Sequence, residues 1–141
     1  MTTITRTIAT LIVASLLTLS SVILTNAGAI LTTAEIHQWM LGEAAKMNKQ
    51  LPKRVDAGTV LLSVFVDGSK FVYVNQIEYY IADLDIYHTA PGVKQKGIRE
   101  TCKVSELVGL MRDYGVSYVY SYFDLNKVRL FSNEVTLADC S

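Results

Sequence analysis

Gly115-Val116-Ser117-Tyr118-Val119-Tyr120-Ser121-Tyr122-Phe123 alternates along its whole length. Val116, Tyr118, Tyr120 and Tyr122 share one face; Ser117, Val119, Ser121 and Phe123 share the other. A period of two with aromatic and β-branched residues is a strand signal. Asp124-Leu125-Asn126-Lys127 supplies a turn, and Val128 to Leu137 resumes the pattern, giving one hairpin. Upstream, Gly115 stops a short helix that Ser105 is placed to cap, with Glu106 in its first turn. Val104, Leu107, Val108 and Met111 form the apolar stripe of that helix.

Working toward the N-terminus, Val93 to Lys103 reads as helical, with Lys94, Lys96, Arg99 and Lys103 as its basic members. Ala90-Pro91-Gly92 reads as a turn, and Tyr80 to Pro91 as a loop or a continued strand. Val60 to Val66 and Lys70 to Tyr79 form a second hairpin about Asp67-Gly68. Thr32-Thr33-Ala34-Glu35 is a capping box that opens a helix over about 33 to 50. Its apolar stripe is Ile36, Met40, Ala44, Met47 and Leu51, widened by Trp39, and Pro52 ends it. The order is α-ββ-α-ββ. It predicts an α+β, two-layer domain, a four-stranded antiparallel sheet with helices on one face.

The chain is 141 residues long and has no net charge, with 13 basic and 13 acidic residues. That balance gives no electrostatic footprint for nucleic acid and no polybasic attraction to lipid. Charged residues are only 18% of the chain, and the deficit has a place. No ionisable group falls between Arg6 and Glu35. Arg6 with the amino terminus, the apolar run Ile8 to Leu24, and the small residues of Ala27-Gly28-Ala29 have the three parts of a secretory signal. Ala27 and Ala29 would occupy the −3 and −1 positions of cleavage before Ile30. The expectation is a signal peptide over 1–29 and an exported domain over 30–141, periplasmic or secreted. The alternative is an uncleaved inner-membrane anchor over residues 8 to 25, just long enough to span. In an oxidising compartment an even cysteine count points to one disulfide, Cys102 with Cys140.

Chemistry-bearing constellations are sparse. His37 and His88 have no ligand-spaced carboxylates. No G-x-S-x-G elbow or Gly-rich phosphate loop occurs. Asp83 and Asp85 sit at strand spacing and are the one carboxylate pair suited to acid–base work, though exposed loop acids are commoner. No enzyme, metal or cofactor is expected. All 8 tyrosines follow residue 70. Tyr118, Tyr120 and Tyr122, with Trp39, are the candidate partner-binding residues, because aromatic rows offer large contact area at low entropy cost. The same row would be core if the helices cover it. Either way the expected partner is another envelope or secreted protein, with no nucleic acid, and with membrane contact only through an uncleaved N-terminal segment. Rival readings are a membrane-anchored envelope accessory, an inhibitor or immunity protein against a lytic enzyme, and a small hydrolase using Asp83 and Asp85.

One resemblance covers about residues 35 to 140. An amphipathic first helix runs into Asn48-Lys49-Gln50-Leu51-Pro52, a hairpin follows, and a second helical region carries Cys102. Then come the Gly115 to Tyr122 segment, Asp124 and a terminal Cys140. The pattern resembles the β-type pilotins of type II secretion systems. The resemblance implies the α-ββ-α-ββ order, a disulfide from helix to C-terminus, and a groove-type peptide binder. It departs from them in one respect: pilotins are lipoproteins that carry an outer-membrane secretin subunit, and this chain has no Cys before Cys102.

Overall fold

A computed structural model describes residues 30–80 and 86–141, with backbone alone for 86–88. The signal or anchor read over 1–29, including Ala27 and Ala29, and the pair Asp83 and Asp85 lie outside the described residues. Among the described residues no helix is long and apolar enough to cross a membrane.

The elements are α1 (Thr33–Asn48), β1 (Lys53–Asp56), β2 (Thr59–Asp67), β3 (Lys70–Ile77), α2 (Ile86–Cys102), α3 (Ser105–Tyr114), β4 (Ser117–Phe123) and β5 (Arg129–Val135), closed by a 3-10 turn (Leu137–Cys140). The capping box of α1 is formed as its sequence predicts. The backbone N–H of Glu35 donates to Thr32 Oγ1, and the Thr32 N–H donates to Glu35 Oε2 at 2.7 Å. That bond holds the Glu35 carboxyl below its ordinary value. Ile36, Met40, Ala44 and Met47 are buried, as the stripe requires.

Two expectations are corrected. The sheet has five strands in the order β1-β2-β3-β4-β5, not four. The extra strand, β1, has four residues and buries only Val55, too short an alternation to stand out from its polar neighbours. The sheet is also mixed, not all antiparallel: β3 and β4 are parallel, with Phe71 opposite Tyr118 and Tyr73 opposite Tyr120. The cause is the length of α2. Its 17 residues span about 26 Å at 1.5 Å each, which matches the roughly 26 Å of an eight-residue strand. The chain is carried back to the end where β3 began, and the Ser117 N–H donates to Ser69 O there.

α2 also begins earlier than its sequence suggests. Pro91 lies inside it, so Ala90-Pro91-Gly92 is helix and not a turn. A proline forgoes one backbone bond and crowds the preceding turn. Packing against the sheet outweighs that local signal here, because Val93, Lys96, Gly97 and Ile98 are half-buried along the helix. Val104, not Ser105, occupies the N-cap of α3 and makes no side-chain cap bond. Gly115 closes α3 in the left-handed region at φ 65°, donating to Leu110 O and Met111 O.

All three helices lie on one sheet face. The core joins the α1 stripe to Leu107, Leu110 and Met111 of α3, to Val116 just before β4, and to Val64, Phe71, Tyr73, Tyr118 and Val135 of the sheet. A register shift in β2 between Leu61 and Ser63 lets Leu61 and Val64 both face the helices. Asn48, the last residue of α1, pins that point: its Nδ2 donates to Val64 O at 2.6 Å, and the Val64 N–H donates to its Oδ1 at 2.9 Å. These backbone groups lie beyond the reach of the short β1, so the amide takes the place of a strand neighbour. The expected disulfide is present between Cys102 and Cys140. It ties the end of α2 to the closing turn, which Thr136 and Asp139 cap.

Candidate functional site

The parallel register stacks the aromatic row on its neighbours. Phe71 and Tyr118 stack at 6.0 Å between ring centroids, and Tyr73 and Tyr120 at 5.2 Å. Tyr122 packs on Phe131 at 4.8 Å, and Trp39 meets the edge of Phe71 at 6.2 Å. The row is therefore on the covered face. Tyr118 is wholly buried and donates its hydroxyl to Leu107 O. It is core and no partner can touch it. Trp39 is half-buried in the same cluster.

Tyr120 and Tyr122 have a different setting. They belong to the floor of a cleft of about 110 Å³ between α2 and the sheet. Tyr73, Leu61, Asn75 and Ile77 complete that floor. Val93, Lys96, Gly97 and Glu100 of α2 form the roof, and Val55, Asp56 and Thr59 close the side. The walls are mainly apolar, with few polar groups. Asp56 and Lys96 face each other across the mouth at 3.9 Å, and Tyr120 Oη shares a hydrogen bond with Thr101 Oγ1 at 2.9 Å. That composition suits a short apolar segment fixed by a few polar contacts.

Most of these lining residues escape a sequence reading. Val55 and Asp56 belong to the strand that goes unrecognised. Gly97 carried the one local signal, a glycine inside a helix, which costs stability unless space demands it. Here a Cβ on Gly97 would meet the Tyr120 ring at 3.8 Å, an ordinary contact, so space alone does not require the glycine. The other candidates do not assemble. His37 Nδ1 lies 3.0 Å from Gly68 O at the β2–β3 turn. His88 is in α2, not in a loop. Among the described residues no group of three potential metal ligands forms. Two of the basic residues in and just after α2 are paired with acids: Lys103 with Glu100 and Lys96 with Asp56 of β1.

Burial raises four tyrosines. Tyr120 is pushed up to about 12 by burial, offset in part by the Thr101 bond. Tyr73, Tyr118 and Tyr122 are raised by burial first and by neighbouring tyrosines second. A raised folded-state value contributes stability while the unfolded tyrosines would stay protonated, below about pH 10. That stability is full below pH 10 and is lost as pH rises through the folded values. Ultraviolet titration of the 8 tyrosines should thus show four, Tyr73, Tyr118, Tyr120 and Tyr122, ionising only as the protein unfolds above about pH 11. Eight tyrosines titrating together near pH 10 with the fold intact would contradict the burial of the row.

No protein-family model and no curated protein sequence matches this chain. Solved structures do. The Vibrio vulnificus type 2 secretion pilotin EpsS superposes with a TM-score of 0.66 at 9% identity, over 77% of this chain and 94% of its own. The Vibrio cholerae type II secretion pilotin AspS gives 0.60 at 15% identity, with the same coverages. The fold is that of the type II secretion pilotins. A structure described as a putative secreted protein from Pseudomonas aeruginosa superposes on this chain as well, with a TM-score of 0.68 at 14% identity, over 81% of this chain and 100% of its own.

Proposed function

We propose that this chain is an exported, pilotin-like accessory of protein secretion, and that it works by docking a short segment of another envelope protein in the cleft between α2 and the sheet. The observation that carries the reading is the conjunction of a pilotin fold with an apolar cleft under α2. Export through residues 1–29 belongs to the same proposal, since a disulfide-bonded domain needs an oxidising compartment. The first partner to test is an outer-membrane secretin, because the structural neighbours are secretion-system pilotins. The sequence contains two cysteines and both are bridged.

Gly97 provides the test. Alanine fits there at ordinary contact distance from Tyr120, whereas phenylalanine would fill the cleft. Gly97→Ala should leave co-purification with the secretin unchanged. Gly97→Phe, shown folded by circular dichroism, should weaken it about tenfold or more, the worth of one excluded apolar side chain. Undiminished binding by Gly97→Phe would remove the cleft from the account.

A further inference from the structure

Glu43 stands three residues after Met40 and four before Met47, so it falls on the buried side of α1. It is only 2% exposed, in a stripe that is otherwise apolar. One carboxylate oxygen, Oε1, accepts from Lys46 Nζ at 2.7 Å, and Lys46 itself reaches solvent. The other oxygen, Oε2, is buried and has no hydrogen-bond partner among the described residues. The same holds for the indole nitrogen of Trp39, Nε1. A buried polar group left in that state forfeits the hydrogen bonds it would make in water, and native proteins rarely leave one so. Here two such groups, one donor and one acceptor, are neighbours.

Their placement defines what would satisfy both. Trp39 and Glu43 are four residues apart in α1, so their side chains leave one helix face a turn apart. Both border a single cavity of about 10 Å³, walled by Phe71, Tyr73, Leu107 and Tyr118. That is about the least space that admits one water molecule, and it is too small for an organic group. The hydrogen-bonding roles match. An indole N–H only donates and a carboxylate oxygen accepts, so one water can take a bond from Trp39 and give one to Glu43. Two polar partners are the fewest that hold a buried water. A metal ion does not suit the place. It needs several ligand oxygens, and here one carboxylate faces apolar walls.

We infer that α1 holds one buried water between Trp39 Nε1 and Glu43 Oε2, and that this water is a fixed part of the fold. Trp39 is the only tryptophan in the chain, so its indole N–H gives one assignable NMR signal. Magnetisation transfer from water to that signal is measured on the purified protein with its disulfide intact. Cross-peaks should appear in both the laboratory-frame and the rotating-frame experiment, with opposite signs, as for a long-held water. Chemical exchange would give equal signs. The peak should survive Tyr73→Phe and Tyr118→Phe, which remove the hydroxyls of the cavity walls. It should be lost in Glu43→Met, where an apolar chain of similar size replaces the acceptor, with folding checked by the amide spectrum. Absence of the peak from the wild-type protein overturns the inference, whether or not Glu43→Met folds. So do equal signs, a peak that persists in folded Glu43→Met, and a peak lost in either tyrosine variant.

Discussion

Replacing Cys102 and Cys140 together by serine should cost about 4 kcal/mol of stability, read by urea unfolding as a lower midpoint with a somewhat steeper slope, because the uncrosslinked unfolded chain expands. The bridge spans a sequence separation of 38 residues. On the chain-entropy model, releasing a loop of that size returns about 4 kcal/mol of freedom to the unfolded chain. In a domain of this size the melting temperature should fall by about 15 °C. The native structure explains why the loss is not repaired locally. The bridge is the covalent tie between the end of α2 and the closing turn, and α2 is the roof of the cleft. The reduced protein should therefore lose partner binding before it loses its core. A midpoint within experimental error of wild type would show that α2 is held by packing alone.

Tyr118→Ala should cost about 3–5 kcal/mol, and Tyr118→Phe about 1 kcal/mol or less. Tyr118 is wholly buried, stacks on Phe71 and sits opposite Val135 in the β4–β5 ladder. Truncation would leave a cavity among Phe71, Leu107 and Trp39 that rigid strands cannot close. Its hydroxyl bond to Leu107 O is long, at 3.4 Å, so its removal should matter little. The paired measurement separates packing from polarity. Equal losses for the two variants would mean that the hydroxyl bond, and not the stack, carries the residue.

Local patterns were legible because local physics sets them. The Thr32–Glu35 box, the α1 stripe, the alternation of β4 and the Gly115 stop all depend on neighbours within a turn or a strand. The face on which the tyrosines lie was legible too. Whether that face was covered was not, because coverage depends on where α2 and α3 travel. The parallel pairing of β3 with β4 follows from the length of α2, which Pro91 disguised as a turn and a shorter helix. β1 was missed because one buried valine in four residues makes no pattern. The cleft was the least legible feature. Its residues come from β1, β2, β3, β4 and α2, and only the tertiary structure brings Asp56 to Lys96 or Gly97 to Tyr120. Of the candidate partner row, Tyr120 and Tyr122 line the cleft, while Tyr118 lies beneath it in the core.

The docking role is tested most directly by a photo-reactive residue at Val93, in the cleft roof, in the full-length chain within its own cell envelope. The same residue at Phe65, exposed on the uncovered sheet face, serves as the control. Cross-linking to an outer-membrane secretin from position 93 and not from position 65 is the expected result. Secretin cross-links from position 65 alone, or from neither position, would contradict docking in the cleft.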